Sequence, residues 1–286
     1  MAYTKLTPRF TPGAGVEEIS RGSAYRLSLS FGKADQYHLA QLDDYTQTPR
    51  NRFPLRFPLS LSLSARASSD SIAGTWGFGL WNDPFGLSLG FGGNPFRLPA
   101  LPNALWFFGA SKESYLSFKD ASTTLLGLDP SEKNTRSTRP EVREAANGFI
   151  AQAFRSPKFH PRLLLAGLAL PFSRKLTRRI LGKVIDEDGI QLWDHEAQHQ
   201  TVGVQGQGVD PTQWHRYRLD WRERRVRFEV DDVQVFESRV SPRPPLGLVI
   251  WLDNQYAAFT PEGKIGLGVL ENSEPAWLEI RDLEIE

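Results

Sequence analysis

Nine residues, Leu59-Ser-Leu-Ser-Leu-Ser-Ala-Arg-Ala67, alternate apolar and polar without a break. Leu59, Leu61, Leu63, Ala65 and Ala67 fall on one side, Ser60, Ser62, Ser64 and Arg66 on the other. Strand side chains point alternately to two faces, so this run is an extended strand with one face buried, not an amphipathic helix. The same period recurs at Tyr25, Leu27, Leu29 and Phe31. It returns at Tyr217, Leu219 and Trp221, which alternate with Arg216, Arg218 and Asp220. A turn at 222–225, the run Val226-Arg-Phe-Glu-Val230, a turn at Asp231-Asp232 and the run 233–236 predict an antiparallel meander. Residues 246–253, 264–270 and 277–285 add three more strands. Short strands separated by turn residues predict a sandwich. The expected fold is therefore all-β, a two-sheet antiparallel jelly-roll sandwich, with residues 1–286 as one domain.

Residues 130–185 break the pattern. Pro140 is a helix-start signal, Asn147-Gly148 a stop. Within 173–185, Leu176, Ile180 and Val184 share a helical face, and Arg174, Lys175, Arg178 and Lys183 lie mainly away from it. Every charged side chain between 155 and 185 is basic. This predicts a helical, basic insertion within the sandwich. Its Arg174, Lys175, Arg178 and Arg179 are candidates for contact with a membrane or another acidic partner; a solvated helical pair packed over one sheet is the plainer alternative.

The net charge of +1 provides no global attraction for nucleic acid, and none is expected as a partner. With no cysteine, disulfides, thiolate metal sites and cysteine nucleophiles are excluded. The longest apolar run, 163–170, is far short of the roughly 20 residues of a spanning helix. Residues 1–15 contain no apolar leader segment, so a soluble, cytoplasmic protein is expected.

Three motifs point to a family. Trp214-His-Arg-Tyr-Arg-Leu-Asp-Trp221 followed by Val226-Arg-Phe-Glu-Val-Asp-Asp232 resembles a strand pair of the laminarinase-like family 16 glycoside hydrolases, in the concanavalin A-like superfamily. Gly74-Thr-Trp-Gly-Phe-Gly-Leu-Trp81 resembles their Gly-Thr-Trp strand, and Trp277-Leu-Glu-Ile-Arg-Asp-Leu-Glu-Ile285 their closing strand. The resemblance implies two curved sheets with a ligand cleft across the concave one. It also implies a strand of the E-x-D-x-x-E or E-x-D-x-E type. Retaining hydrolysis needs carboxyls about 5–5.5 Å apart, and residues two apart on a strand share a face. Here the strand after Trp81 reads Ala104-Leu-Trp-Phe-Phe-Gly-Ala110, with aromatics where carboxylates should stand. Asp186 and Asp188 fall in what reads as a turn, and Glu284 and Glu286 fall near residue 286.

A repeated Trp-x-Asp supplies the candidate site. Alternation places Gly77, Gly79, Trp81 and Asp83 together, and Val249, Trp251 and Asp253 together, each opposite an all-apolar face. An indole beside a carboxylate suits a sugar, the ring covering C–H groups and the acid accepting hydroxyl bonds. Gly77 and Gly79 are expected to leave a ligand room. The plainer alternative is that the indoles pack under the insertion and the acids cap turns. Trp106 and Phe108 share a face; in the cleft they would make a floor suited to a hydrophobic ligand. The expected ligand contacts are Trp81, Asn82, Trp106, Phe108, Trp251, Asn254 and Tyr256, with Tyr115 nearby. If the protein is an enzyme, Asp83 and Asp253 are candidates for acid and base, with Glu113 in reserve.

His195-Glu-Ala-Gln-His199 matches a zinc-helix pattern, but it runs into Gly-rich, β-like sequence and lacks a third ligand. On a strand the two histidines would lie about 13 Å apart, too far for one metal. No metal or cofactor is expected. The sequence thus favours binding of a carbohydrate by a glycosidase-like sandwich without the usual catalytic motif. The alternatives are a hydrolase or cyclase using relocated Asp/Glu residues, and a peripheral membrane or hydrophobic-ligand-binding protein docked through 155–185.

Overall fold

The computed structural model describes residues 6–84, 100–116, 148–157, 184–194, 208–259 and 265–286. The first strands are β1 (Thr7–Phe10), β2 (Ala14–Ser20), β3 (Ala24–Leu29), β4 (Leu39–Asp43), β5 (Leu59–Ala67) and β6 (Thr75–Trp81). Next come β7 (Ala104–Ala110), β8 (Tyr115–Leu116), β9 (Gly148–Arg155), β10 (Asp186–Trp193), β11 (His215–Arg222) and β12 (Arg225–Val230). The last are β13 (Val233–Ser238), β14 (Gly247–Asp253), β15 (Gln255–Phe259), β16 (Ile265–Val269) and β17 (Ala276–Ile285).

Two seven-stranded sheets stack as the expected sandwich. The first runs β1-β4-β14-β6-β7-β9-β10 and the second β13-β12-β11-β5-β17-β3-β2. Every pairing in both is antiparallel. A small sheet, β16-β15-β8, continues from the end of β14. The predicted meander is β11-β12-β13, and Asp231 and Asp232 take the left-handed conformation (φ 50° and 64°) that a tight hairpin turn requires.

The alternating strand β5 lies mid-sheet between β11 and β17, with Leu59, Leu61 and Leu63 in the inter-sheet core. Opposite them in the core stand Trp76, Phe78 and Leu80 of β6, Leu105 and Phe107 of β7, and Leu248, Ile250 and Leu252 of β14. The other face of the second sheet is polar. There Glu279 accepts hydrogen bonds from Arg26 and Arg66.

The inner strands of the first sheet are buried on both faces, and this decides which strands the sequence hides. In β9, Phe149, Ala151 and Ala153 face the core, while Ile150 and Phe154 pack on the other side. A strand apolar on both sides shows no alternation. The expected helical stretch 130–185 is therefore interrupted by β9, an internal strand paired to β7 and β10. Gly148, read as a helix stop, begins that strand with φ 77°. Asp186 and Asp188, read as a turn, open β10, which pairs along β9; Asp188 accepts a hydrogen bond from Ser238 (2.6 Å). Among the described residues the helical structure is one short 3-10 turn, Arg50–Arg52. No helix among them is long and apolar enough to cross a membrane. Arg174, Lys175, Arg178 and Arg179, like His195 and His199, lie outside the described residues.

Candidate functional site

The outer face of the first sheet, turned away from the second sheet, carries the Trp-x-Asp pair. Cross-strand register sets its rows. Trp251 lies level with Gln41, Gly77, Phe108 and Ile150. One row along are Asp43, Val249, Gly79, Trp106 and Gln152. The next holds Gly247, Trp81, Ala104, Phe154 and Glu187. Trp81, Trp106, Phe108, Phe154 and Trp251 form one aromatic cluster, joined by Tyr45 and Phe53 from the segment after β4.

The rings of Trp81 and Trp251 are nearly parallel, 5° apart with centroids separated by 6.0 Å. Trp106 contacts both at 6.1 and 5.7 Å and is tilted against each, and Phe108 lies over Trp106 at 5.7 Å. The glycines make this possible, though not as the sequence suggests. A Cβ on Gly77 would meet Trp251 Cη2 at 2.8 Å and the Phe107 carbonyl at 2.4 Å. One on Gly79 would stand 2.7 Å from Trp106 Cβ. The room expected for a ligand is occupied by the protein's own indoles.

Each indole N–H is bonded internally. Trp81 donates to the Tyr45 hydroxyl (2.6 Å), Trp251 to Thr75 Oγ1 (3.1 Å) and Trp106 to Gln152 Oε1 (3.4 Å). The platform is nearly closed, with Trp81 9 % exposed, Trp251 6 % and Trp106 2 %.

Asp253 ends β14 beside Thr75. Its Oδ1 accepts from the Thr75 hydroxyl (2.7 Å) and the Gln255 N–H (3.3 Å), and its Oδ2 from the Tyr37 hydroxyl (3.3 Å). Burial pushes its pKa up to about 7, against the pull of these hydrogen bonds. Tyr37 is raised well above its ordinary value, first by burial and then by Asp253. Asp43, also buried, accepts from Gln41 Nε2 (2.8 Å) and from the Tyr45 and Thr46 N–H groups.

The expected acid–base pair does not meet. Asp253 lies level with Thr75, and Asp83 stands eight residues along the neighbouring strand direction. At about 3.3 Å per residue the six steps along β6 from Thr75 to Trp81 alone span roughly 20 Å, beyond the 6.5–9.5 Å of inverting enzymes and the 5–5.5 Å of retaining ones. Asp43 lies four residues from Asp253 by the same register, about 13 Å. Glu113 is exposed in the turn between β7 and β8.

Two expected ligand contacts are structural. Asn254 is fully buried; its Oδ1 accepts the His38 N–H and its Nδ2 donates to the Gln36 and Leu270 carbonyls. Asn82 pins β6 to the segment before β7, donating to the Leu101 carbonyl and accepting from the Asn103 N–H. Tyr256 lies on the small sheet beside Gly266 and Gly268, and Tyr115 on its β8 edge. Trp81, Trp106, Phe108, Trp251 and Asp253 are the expected residues that share the platform face.

Tyr37, Gln41, Asp43, Tyr45, Phe53, Gln152 and Phe154 were not legible as site residues. Strand β4 did carry a signal, since Leu39, Gln41 and Asp43 alternate with Ala40 and Leu42. Tyr45 and Phe53 reach the face from a connecting segment, which no periodicity marks.

No family model and no curated protein matches the sequence. Solved structures with a similar chain path include a family 16 endo-glucanase from Bacteroides ovatus. It has 11 % identity and a TM-score of 0.44, covering 98 % of this chain and 94 % of that one. A legume lectin-like domain from Entamoeba histolytica has 8 % identity and a TM-score of 0.43, covering 98 % and 89 %. A sialidase has 7 % identity and a TM-score of 0.40, with 98 % of this chain but 17 % of that one covered. The two-sheet sandwich stands on its own strand order.

Proposed function

We propose that the protein binds a small molecule on the aromatic outer face of its first sheet, and that the guest is a carbohydrate. The observation that carries this reading is the near-parallel pair Trp81 and Trp251 on one face, with Trp106 beside both and the acceptor Asp253 at the end of β14. Flat indoles cover the C–H faces of a sugar ring, and a carboxylate at their edge accepts a hydroxyl. The separation of Asp83 and Asp253, too great for an acid–base pair, supports a guest that is held rather than cut.

One observation favours a second reading, an apolar guest. All three indole N–H groups already have partners within the protein, so the floor offers them to no ligand. Calorimetric titration with laminarihexaose, mixed-linkage glucan oligosaccharides and oleate at pH 8 separates the two. Binding of a glucan oligosaccharide, weakened about tenfold or more in Trp251→Phe and Trp81→Phe, is the expected result. Oleate binding alone supports the second reading. Glucan binding unchanged in both variants removes the platform from the site. Release of reducing ends would show that the guest is cleaved.

A further inference from the structure

We infer that the guest of the aromatic face carries an alkylammonium group, seated against the π faces of Trp81, Trp106 and Trp251. This rests on the binding reading above, whose ligand class it narrows.

What the platform offers a guest follows from where its N–H groups go. Trp81 donates to the Tyr45 hydroxyl, Trp251 to Thr75 Oγ1 and Trp106 to Gln152 Oε1. An indole has no second donor and no acceptor. The three rings are therefore left with π faces and C–H edges. A π face is negative, and it attracts a cation within about 6 Å of its centre. A guest carboxylate finds no donor on these rings, whereas an ammonium group finds the surface that suits it. Trp251 is further biased toward that role. The Thr75 hydroxyl that accepts from its N–H donates in turn to Asp253 Oδ1. Hydrogen bonds in series polarise one another, and this series, ending on a carboxylate, leaves the Trp251 ring richer in electrons.

The acids beside the rings act in the same direction. Asp43, Asp83, Asp253 and Glu187 are all buried. Asp43 lies level with Val249, next but one along the strand from Trp251, and Glu187 lies level with Phe154 of the aromatic cluster. Their reach shows at two tyrosines. Burial raises Tyr45 first, and Asp83 and Asp43 raise it further. Burial likewise raises Tyr37 first, and Asp253 adds to it. Arg9 of β1, level with Gln41, opposes these acids at both hydroxyls and is the smaller influence at each. Arg50 directs its guanidinium at the Asn82 and Asp83 carbonyls. Electron-rich rings with carboxylates beside them favour a cationic guest over a neutral or anionic one of the same shape.

Choline and 3,3-dimethylbutan-1-ol share a shape and differ in charge, a quaternary nitrogen in one standing where the other has carbon. Calorimetric titration with each at pH 8, above the value of about 7 at which Asp253 ionises, isolates the charge. Choline should bind about tenfold or more tightly than its neutral isostere. Trp251→Leu should reduce that preference. Asp253→Asn should weaken choline severalfold and leave the neutral isostere unchanged. Equal affinity for the two, tighter binding of the neutral one, or binding of neither overturns the inference. So does an Asp253→Asn variant that weakens both alike, which would assign the carboxylate a structural role only. Laminarihexaose titrated in parallel keeps the two readings apart. Its binding beside a failed choline preference overturns the ammonium inference and supports the carbohydrate reading. A choline preference without laminarihexaose binding supports the ammonium inference and counts against the carbohydrate.

Discussion

A methyl group at position 77 has nowhere to go. The Phe107 carbonyl at 2.4 Å and the Trp251 ring at 2.8 Å bound the space on two sides, so both the neighbouring backbone and the ring must shift. Gly77→Ala should therefore cost about 1–3 kcal/mol and displace Trp251. A chemical melt compared with the tryptophan emission spectrum checks both effects; an unchanged spectrum would mean the indole does not lie over that strand. Asp253 governs a second effect. Its pKa in the folded protein is about 7, against an ordinary value of 3.8. Between those values the folded chain holds a proton that the unfolded chain has lost. The folded state therefore loses stability as pH rises through this window, by at most about 4 kcal/mol from this group. Below the ordinary value both states are protonated and the effect is absent. Asp253→Asn should remove the slope, so its stability relative to the unmodified protein should be greater at pH 8 than at pH 5. Denaturant melts at the two pH values measure the difference, and parallel curves would contradict a buried, ionising Asp253.

Element by element, the two sheets solve different problems. The outer face of the second sheet meets water and manages charge. Glu279 of β17 lies between Arg26 of β3 and Arg66 of β5. Burial would raise its pKa, but the hydrogen bonds from Arg66 and Arg26 outweigh burial and hold it below its ordinary value. Both guanidinium groups also lie over the Trp277 ring at 5.3 Å. A lowered carboxyl pKa stabilises the fold above the ordinary value of 4.5 and ceases to do so as pH falls through the folded value. Glu279→Gln should be less stable than the unmodified protein at pH 7, and the gap should narrow under acid. Melting temperatures at pH 7 and pH 3 give the comparison; a constant gap would mean the charge plays no part. The inner strands of the first sheet have no such face. Its strands β7 and β14 are buried at every residue, which is why a second aromatic cluster forms outside the main core.

For the molecule as a whole, one inter-sheet core joins residues from both sheets, Leu61 from the second and Phe107 from the first. Truncating either should lower a single shared transition. About 2–5 kcal/mol is expected for Leu61→Ala and about 3–5 for Phe107→Ala. Far-ultraviolet and near-ultraviolet melts should coincide in both variants. Separate transitions for the two would show that the sheets fold independently.

Strands with one wet face announced themselves, because burial on one side and solvent on the other writes a period of two into the residues. That accounts for β3, β5, β11 and β12, and for the sandwich they imply. Alternation also told which face Trp81, Trp106, Trp251 and Asp253 share, since the backbone fixes it locally. Strand β9, apolar on both sides, left no such mark and read as part of a helical stretch. The distances across the site were beyond the sequence altogether. Asp83 and Asp253 occupy like positions in two similar motifs, yet antiparallel pairing of β6 with β14 sends their ends in opposite directions and parts them. Register likewise laid the indoles over Gly77 and Gly79 and brought Tyr37 and Thr75 to Asp253. Those contacts join residues far apart in the chain, and only strand pairing in three dimensions makes them neighbours.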